Sequence, residues 1–97
     1  MLFEVCCDTV QSALDAARGG AKRIELCSAL KQGGLTPSVG VIDTVCQRLK
    51  GLDVKVFVMI RPRPGDFIYS EDEVSSMELD ICLAAKHGEL SLSWWAE

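Results

Sequence analysis

The segment VKVFVMI, residues 54–60, is the most strand-like stretch of the chain. β-Branched residues recur along it, and turn signals bound it, Gly51 before and Pro62-Arg63-Pro64-Gly65 after. Working back from it, Ile42, Val45, Cys46 and Leu49 form the apolar stripe of a helix. Thr36 is the expected N-cap of that helix, with Pro37 at its first position. A loop carrying Gly33-Gly34 separates it from a second strand, KRIELC (22–27), and a first strand, LFEVCC (2–7), lies further back. Between those strands Val10, Ala13, Leu14 and Ala17 share one helical face, with Asp8 as the expected cap and Gly19-Gly20 as the stop. Forward of the segment comes the loop RPRPGDFIY (61–69). Ser70 and Glu73 then make a capping box that opens a third helix, with Val74, Met77 and Ile81 inward and Gly88 at its end.

Strand and helix thus alternate three times, which predicts an α/β fold with parallel strands and right-handed crossovers. The repeat length suits a TIM-type (β/α)8 barrel. Such a barrel takes about 200 residues or more, and the 97 residues here supply its first three β/α units.

Ten Lys and Arg against 14 Asp and Glu leave a net charge of −4, which argues against a nucleic-acid footprint and against polybasic attraction to membranes. There is no apolar run long enough to span a bilayer. Met1-Leu2-Phe3-Glu4 lacks the marks of a signal peptide, so a cytosolic chain with free thiols is expected. The five cysteines, Cys6, Cys7, Cys27, Cys46 and Cys82, are odd in number and match neither a zinc ribbon nor a C-x-x-C motif. In a reducing compartment they read as buried thiols or soft-metal ligands.

The first two strands share a local pattern, Glu4-Val5-Cys6 and Glu25-Leu26-Cys27. Side chains alternate faces along a strand. Putting the apolar set under the helices turns Glu4, Cys6, Glu25 and Cys27 toward the barrel interior, together with Phe57, Met59 and Arg61 of the third strand. Cys6 and Cys27 then stand at the carboxyl ends of their strands, where barrel sites are built. Strands roughly 4.8 Å apart allow two thiolates to share one ion with bonds of about 2.3 Å. Sulfur donors favour Cu(I), and Met59 is a further soft donor nearby. The other reading makes both cysteines small buried hydrophobes, and pattern alone leaves the two open. Cys7, Cys46 and Cys82 read as helix-facing core.

Interior carboxylates need a cation, and Arg61 and Arg63 are the candidates. Their loop offers anion-binding donors. Alternatively it is structural, with Arg61 pairing with Glu4 or Glu25 and Asp66 holding a turn, and this second reading is preferred. Gly33-Gly34 reads as a plain turn rather than an anion cradle. His87 suits the negative end of a helix dipole.

The run EVCxDxxxxAxxAxxGGAxRIELCS, Glu4 to Ser28, resembles the opening of the CutC copper-homeostasis family, and GGLTPSVGV (33–41) and VFVMIRPRPGDFIYS (56–70) are similar to its next two blocks. The resemblance covers about residues 2–88. It implies a TIM-type barrel, a cytosolic and also nuclear location, homo-oligomerisation in the complete family protein, and Cu(I) bound by Cys6 and Cys27. Glu4, Glu25, Arg61, Arg63 and Asp66 are the expected polar surroundings.

Two segments follow: a partial CutC-like barrel domain, 1–88, and a divergent tail, 89–97. The tail, with Trp94 and Trp95 adjacent, lacks the fourth strand that the family has there. It looks like a frame change, an alternative splice end or a mis-predicted gene model, that is, a truncated isoform. Strand three then has an open edge, which predicts a chain that aggregates or stays molten without a partner. Copper homeostasis is therefore the leading expectation. The alternatives are a barrel enzyme with a Glu as general base and Arg61 or Arg63 holding an anionic substrate, or an inactive truncated product.

Overall fold

A computed structural model describes residues 4–87. In chain order it contains β1 (Glu4–Cys7), α1 (Val10–Arg18), β2 (Arg23–Leu26), a short 3-10 turn (Leu30–Gln32), α2 (Val39–Arg48), β3 (Lys55–Val58) and α3 (Glu71–Ala85). The strands form one parallel sheet in the order β1-β2-β3. This is the arrangement of the first three units of a (β/α)8 barrel. Gly88 and the tail 89–97 fall outside the described residues, as does Phe3.

The alternation expected from the sequence sorts the sheet into two faces. Cys7, Ile24, Leu26, Val56, Val58 and Ile60 join Leu14, Ile42, Val45, Leu49 and Met77 in one apolar core between sheet and helices. Burying a Leu, Ile or Val side chain contributes about 1.5–3 kcal/mol, so this layer supplies the main driving force for the fold.

Side-chain caps explain where the helices begin. For α1 the cap is Thr9 rather than Asp8: its hydroxyl accepts from the Ser12 amide while Ser12 Oγ accepts from the Thr9 amide. Gln11, at the same spacing from Asp8, donates to Asp15 instead. For α2 the cap is Ser38, which accepts from the Val41 amide at 3.2 Å, and not Thr36. The Thr36 hydroxyl is committed elsewhere, to the backbone of Arg61. For α3 the Ser70–Glu73 box forms as expected.

Three expected core positions move outward. Val74 is 44% exposed, because Met77 and Ala84 are the residues of α3 that reach the core. Cys82 is exposed and Cys46 only half-buried, so of the three cysteines expected in the core Cys7 alone is fully buried.

Candidate metal centre

The ladder register defines the barrel-facing side of the sheet. Paired residues of parallel strands project to the same face. One row is Glu4, Arg23 and Lys55; the next is Cys6, Glu25 and Phe57. The ladder continues past the strand ends, with the Cys27 amide donating to Cys7 O and the Met59 amide to Leu26 O, both at 2.9 Å. Cys27 and Met59 therefore form a third row at the carboxyl ends.

Cys6 and Cys27 share this face but are not level with each other. Cys6 is paired with Glu25, and Cys27 lies two residues further on, roughly 6.6 Å along the strand. To share one ion the two side chains lean toward each other across the row. Burial pushes the Cys27 thiol up to about 11, and negative charge at Cys6, Asp8, Glu25 and Cys7 adds to the effect. Cys6 is raised by burial, then by Glu25 and Glu4. Cys6 is exposed, whereas Cys27 is fully buried and aims its S–H at Cys7 O, 3.6 Å away. Both thiols hold their protons at neutral pH.

Glu25 is level with Cys6 and two residues before Cys27 on the same strand. It is 6% exposed, and its Oε1 has no hydrogen-bond partner among the described residues. Burial raises its carboxyl pKa, the Glu4 charge raises it further, and Arg23 opposes the rise.

Arg23 is the cation that sequence reasoning missed. Its Nε lies 3.7 Å from Glu4 Oε2, and its guanidinium stacks 4.1 Å from the centre of the Phe57 ring. Arg61 and Arg63, the expected partners of the interior carboxylates, are occupied elsewhere. The signal for Arg23 was present, since it shares the alternation of Glu25 and Cys27.

Arg61 donates to three backbone carbonyls, Gln32 and Gly34 at 3.3 Å and Gly65 at 3.0 Å, and faces the Phe67 ring at 5.0 Å. Its own backbone is tied to Thr36, whose hydroxyl accepts from the Arg61 amide at 2.8 Å and donates to the Arg61 carbonyl at 3.1 Å. The arginine thus clamps the loop after β2 to the loop after β3. Arg63 pairs with Glu73 and Asp66 and donates to Ile68 O at 2.8 Å. Asp66 accepts from the Ile68 amide at 3.0 Å, which with Arg63 keeps its carboxyl below the usual range. The loop 61–69 is therefore structural, with Asp66 holding its turn. The clamp partners are carbonyls, however, and not Glu4 or Glu25.

Gly33 and Gly34 spend their amides on Leu30 O and Ala29 O, as a turn does. His87 places Nδ1 3.0 Å from Asp43 Oδ1 on α2. A cavity of about 740 Å³ opens at the carboxyl ends, lined among others by Asp8, Cys27, Ser28, Thr36 and Arg61. Among the described residues no group of three or more His, Cys, Asp or Glu side chains converges on a point that could hold a metal. The soft donors on the barrel face are Cys6, Cys27 and Met59, a set that suits Cu(I) better than a hard cation. None of the described helices is long and apolar enough to cross a membrane.

This chain is similar to proteins of known family along almost all its length. The family model described as "CutC family" matches residues 1–93. A human protein named copper homeostasis protein cutC homolog is 56% identical over 87 residues, covering 90% of this chain and 31% of the human one. A CutC family protein of Vibrio vulnificus is 51% identical over 85 residues, covering 88% of this chain and 33% of its own length. The crystal structure of CutC from Streptococcus agalactiae superposes with a TM-score of 0.85 at 37% identity, covering 95% of this chain and 45% of that one. The chain spans about a third of the length of the curated relatives it matches. With a shared β/α order, a solved neighbour of the same topology and relatives about half identical, the chain belongs to the CutC family.

Proposed function

We propose that this chain serves copper homeostasis by holding Cu(I) between the thiolates of Cys6 and Cys27. The observation that carries the reading is their placement: two thiols on one sheet face, toward the carboxyl ends of adjacent strands and one row apart. The name shared by the relatives supplies the metal. Each thiol releases its proton as its sulfur takes the ion, so uptake strengthens as pH rises. Glu25 lies level with Cys6, Glu4 and Arg23 form the row beneath it, and the Arg61 clamp and the Arg63–Asp66 knot hold the loops at the rim. The reading includes a cytosolic and nuclear location and homo-oligomerisation in the complete family protein.

An anaerobic Cu(I) competition titration of the chain against its Cys6→Ser/Cys27→Ser variant tests this. The variant keeps Cys7, Cys46 and Cys82 and so controls for indiscriminate thiol binding. Loss of one tightly held ion is expected; equal binding by both chains would remove the proposed site.

Glu25 favours a second reading, in which the barrel face belongs to an enzyme. A buried carboxylate with a raised pKa and an unpaired oxygen can act as a general base. On that reading the two Ser substitutions leave copper affinity unchanged and Glu25→Gln removes activity. Arg61 and Arg63 hold no anionic substrate in it, since both are spent on the protein's own groups.

A further inference from the structure

We propose that residues 90–94 of the tail add to the open edge of β3 as a fourth parallel strand and close the flank of the sheet beneath α3. The tail carries no β-branched residue. Three features of the described fold nonetheless fit it there.

The first is the edge itself. The Lys55 amide donates to Lys22 O at 3.0 Å and the Met59 amide to Leu26 O at 2.9 Å, so alternate residues of β3 turn their backbone groups toward β2. In a parallel ladder the residues between them turn theirs the other way. The amides and carbonyls of Val56 and Val58 therefore point outward, along an edge that pairs with no strand among the described residues. Such an edge is a template for strand addition.

The second is the flank of α3. On its α2 side, Ser76 and Asp80 share a cavity with Ser38 and Val41, and His87 touches Asp43. At about 100° per residue, Val74, Ile81 and Ala85 lie on the opposite side of the line through Met77 and Ala84. That flank is apolar, yet Val74 is 44% exposed and Ile81 only half-buried. A right-handed crossover carries its helix over its own strand and the next one, so the flank overhangs the open edge of β3. What Val74 and Ile81 lack is a strand below them.

The third is where the chain is heading. His87 lines a cavity of about 310 Å³ together with Lys55 and Val56, so the last described residue stands near the amino end of β3. Residues 19–22 join α1 to β2, and residues 49–54 join α2 to β3. The same allowance of four to six residues after Ala85 starts a strand between positions 90 and 92. There the sequence alternates strictly, Leu90-Ser91-Leu92-Ser93-Trp94, the pattern of a strand with one apolar face. Five residues at about 3.3 Å each match residues 55–59 in length. Leu90, Leu92 and Trp94 then extend the side of Val56 and Val58, under Val74 and Ile81. Ser91 and Ser93 fall on the side of Phe57 and Met59. The edge of β1 stays open.

Amide hydrogen exchange of the 97-residue chain, followed by NMR over a concentration series, tests the added strand. Slow exchange of the Val56 and Val58 amides is expected, at rates that do not change on dilution. Leu92→Asp puts a charge under α3 and is expected to speed both amides by about tenfold or more. Ser93→Asp, on the other side, leaves them slow. The Cys27 amide, bonded to Cys7 O, reports whether the sheet persists in each variant. Trp94 and Trp95 are the only tryptophans, so a second measurement needs no charged variant. In Trp95→Phe the remaining Trp94 is expected to be blue-shifted and shielded from acrylamide.

Fast exchange at Val56 and Val58 overturns the proposal, as does a Trp94 open to the quencher. Protection that falls away on dilution also overturns it, because a second copy then holds the edge. An equal response to Leu92→Asp and Ser93→Asp, with the Cys27 amide still protected, does the same. If Leu92→Asp frees the Cys27 amide as well, Trp94 decides: shielding at every concentration upholds the strand, and exposure removes it.

Discussion

The Thr36 hydroxyl sits between the amide and the carbonyl of Arg61, accepting from the first at 2.8 Å and donating to the second at 3.1 Å. One side chain on the loop after β2 thereby satisfies both backbone groups of a residue on the loop after β3. Thr36→Val keeps the shape and removes both bonds, leaving a part-buried amide unpaired. A cost of about 1–3 kcal/mol is expected, read as a lower urea midpoint with an unchanged slope. Faster hydrogen exchange at the Arg61 amide should accompany it.

Cys27 and Cys6 should differ sharply toward alkylating reagents. The nucleophile is the thiolate, and Cys27 is both fully buried and raised to about 11. With iodoacetamide near pH 8, peptide mapping by mass spectrometry is expected to find Cys6 modified well before Cys27. Labelling of Cys27 should climb as pH approaches 11. A Cys27 that reacts as fast as Cys6 at pH 8 would contradict the packing described.

Glu25 and Glu73 should pull stability in opposite directions with pH. The Glu25 carboxyl is raised by burial, so the folded chain holds that proton more tightly than the unfolded chain. Its contribution weakens as pH rises through the unfolded carboxylate value, about 4.3, toward the folded one. Glu25→Gln is therefore expected to raise the denaturation midpoint at pH 7 and to lose that advantage near pH 4. Glu73 is lowered by the Ser70 amide first and by Arg63 second. Its contribution is present above the unfolded value and fades as pH falls through the folded one. Glu73→Gln should destabilise at pH 7 and matter less in acid. Denaturation of both variants at pH 4 and pH 7 checks the two signs.

β2 is paired on both sides, while β1 and β3 each pair only with β2 among the described residues. Unpaired strand edges recruit other strands. The 97-residue chain on its own is expected to self-associate in sedimentation experiments, increasingly with concentration. A sharp, cooperative melt of a monomer would refute this.

Much of the fold was legible in order and period. VKVFVMI alternates so cleanly that the core-facing side of β3 follows from it, and the Ser70–Glu73 box marks the start of α3 without any tertiary information. Both are local: a strand's faces come from backbone pleat, and a capping box closes within four residues. Thr36 and Asp8 were misplaced as caps because several hydroxyl or carboxylate side chains stood within reach of each helix start. Which one caps depends on what else the others bond to.

The sequence by itself determined the three β/α units, their apolar faces, and the shared side of Cys6, Glu25, Cys27 and Met59, because alternation and helical period are properties of neighbouring residues. Only the tertiary structure decided that Cys6 is level with Glu25 and one row below Cys27, that Arg23 answers Glu4, and that Arg61 clamps carbonyls. The strand register joins residues 19 positions apart, and no local pattern encodes how one strand slides against the next. The packing of Met59 and Cys27 on Gly34 is of the same kind: it exists because two loops and two strands are held together at once.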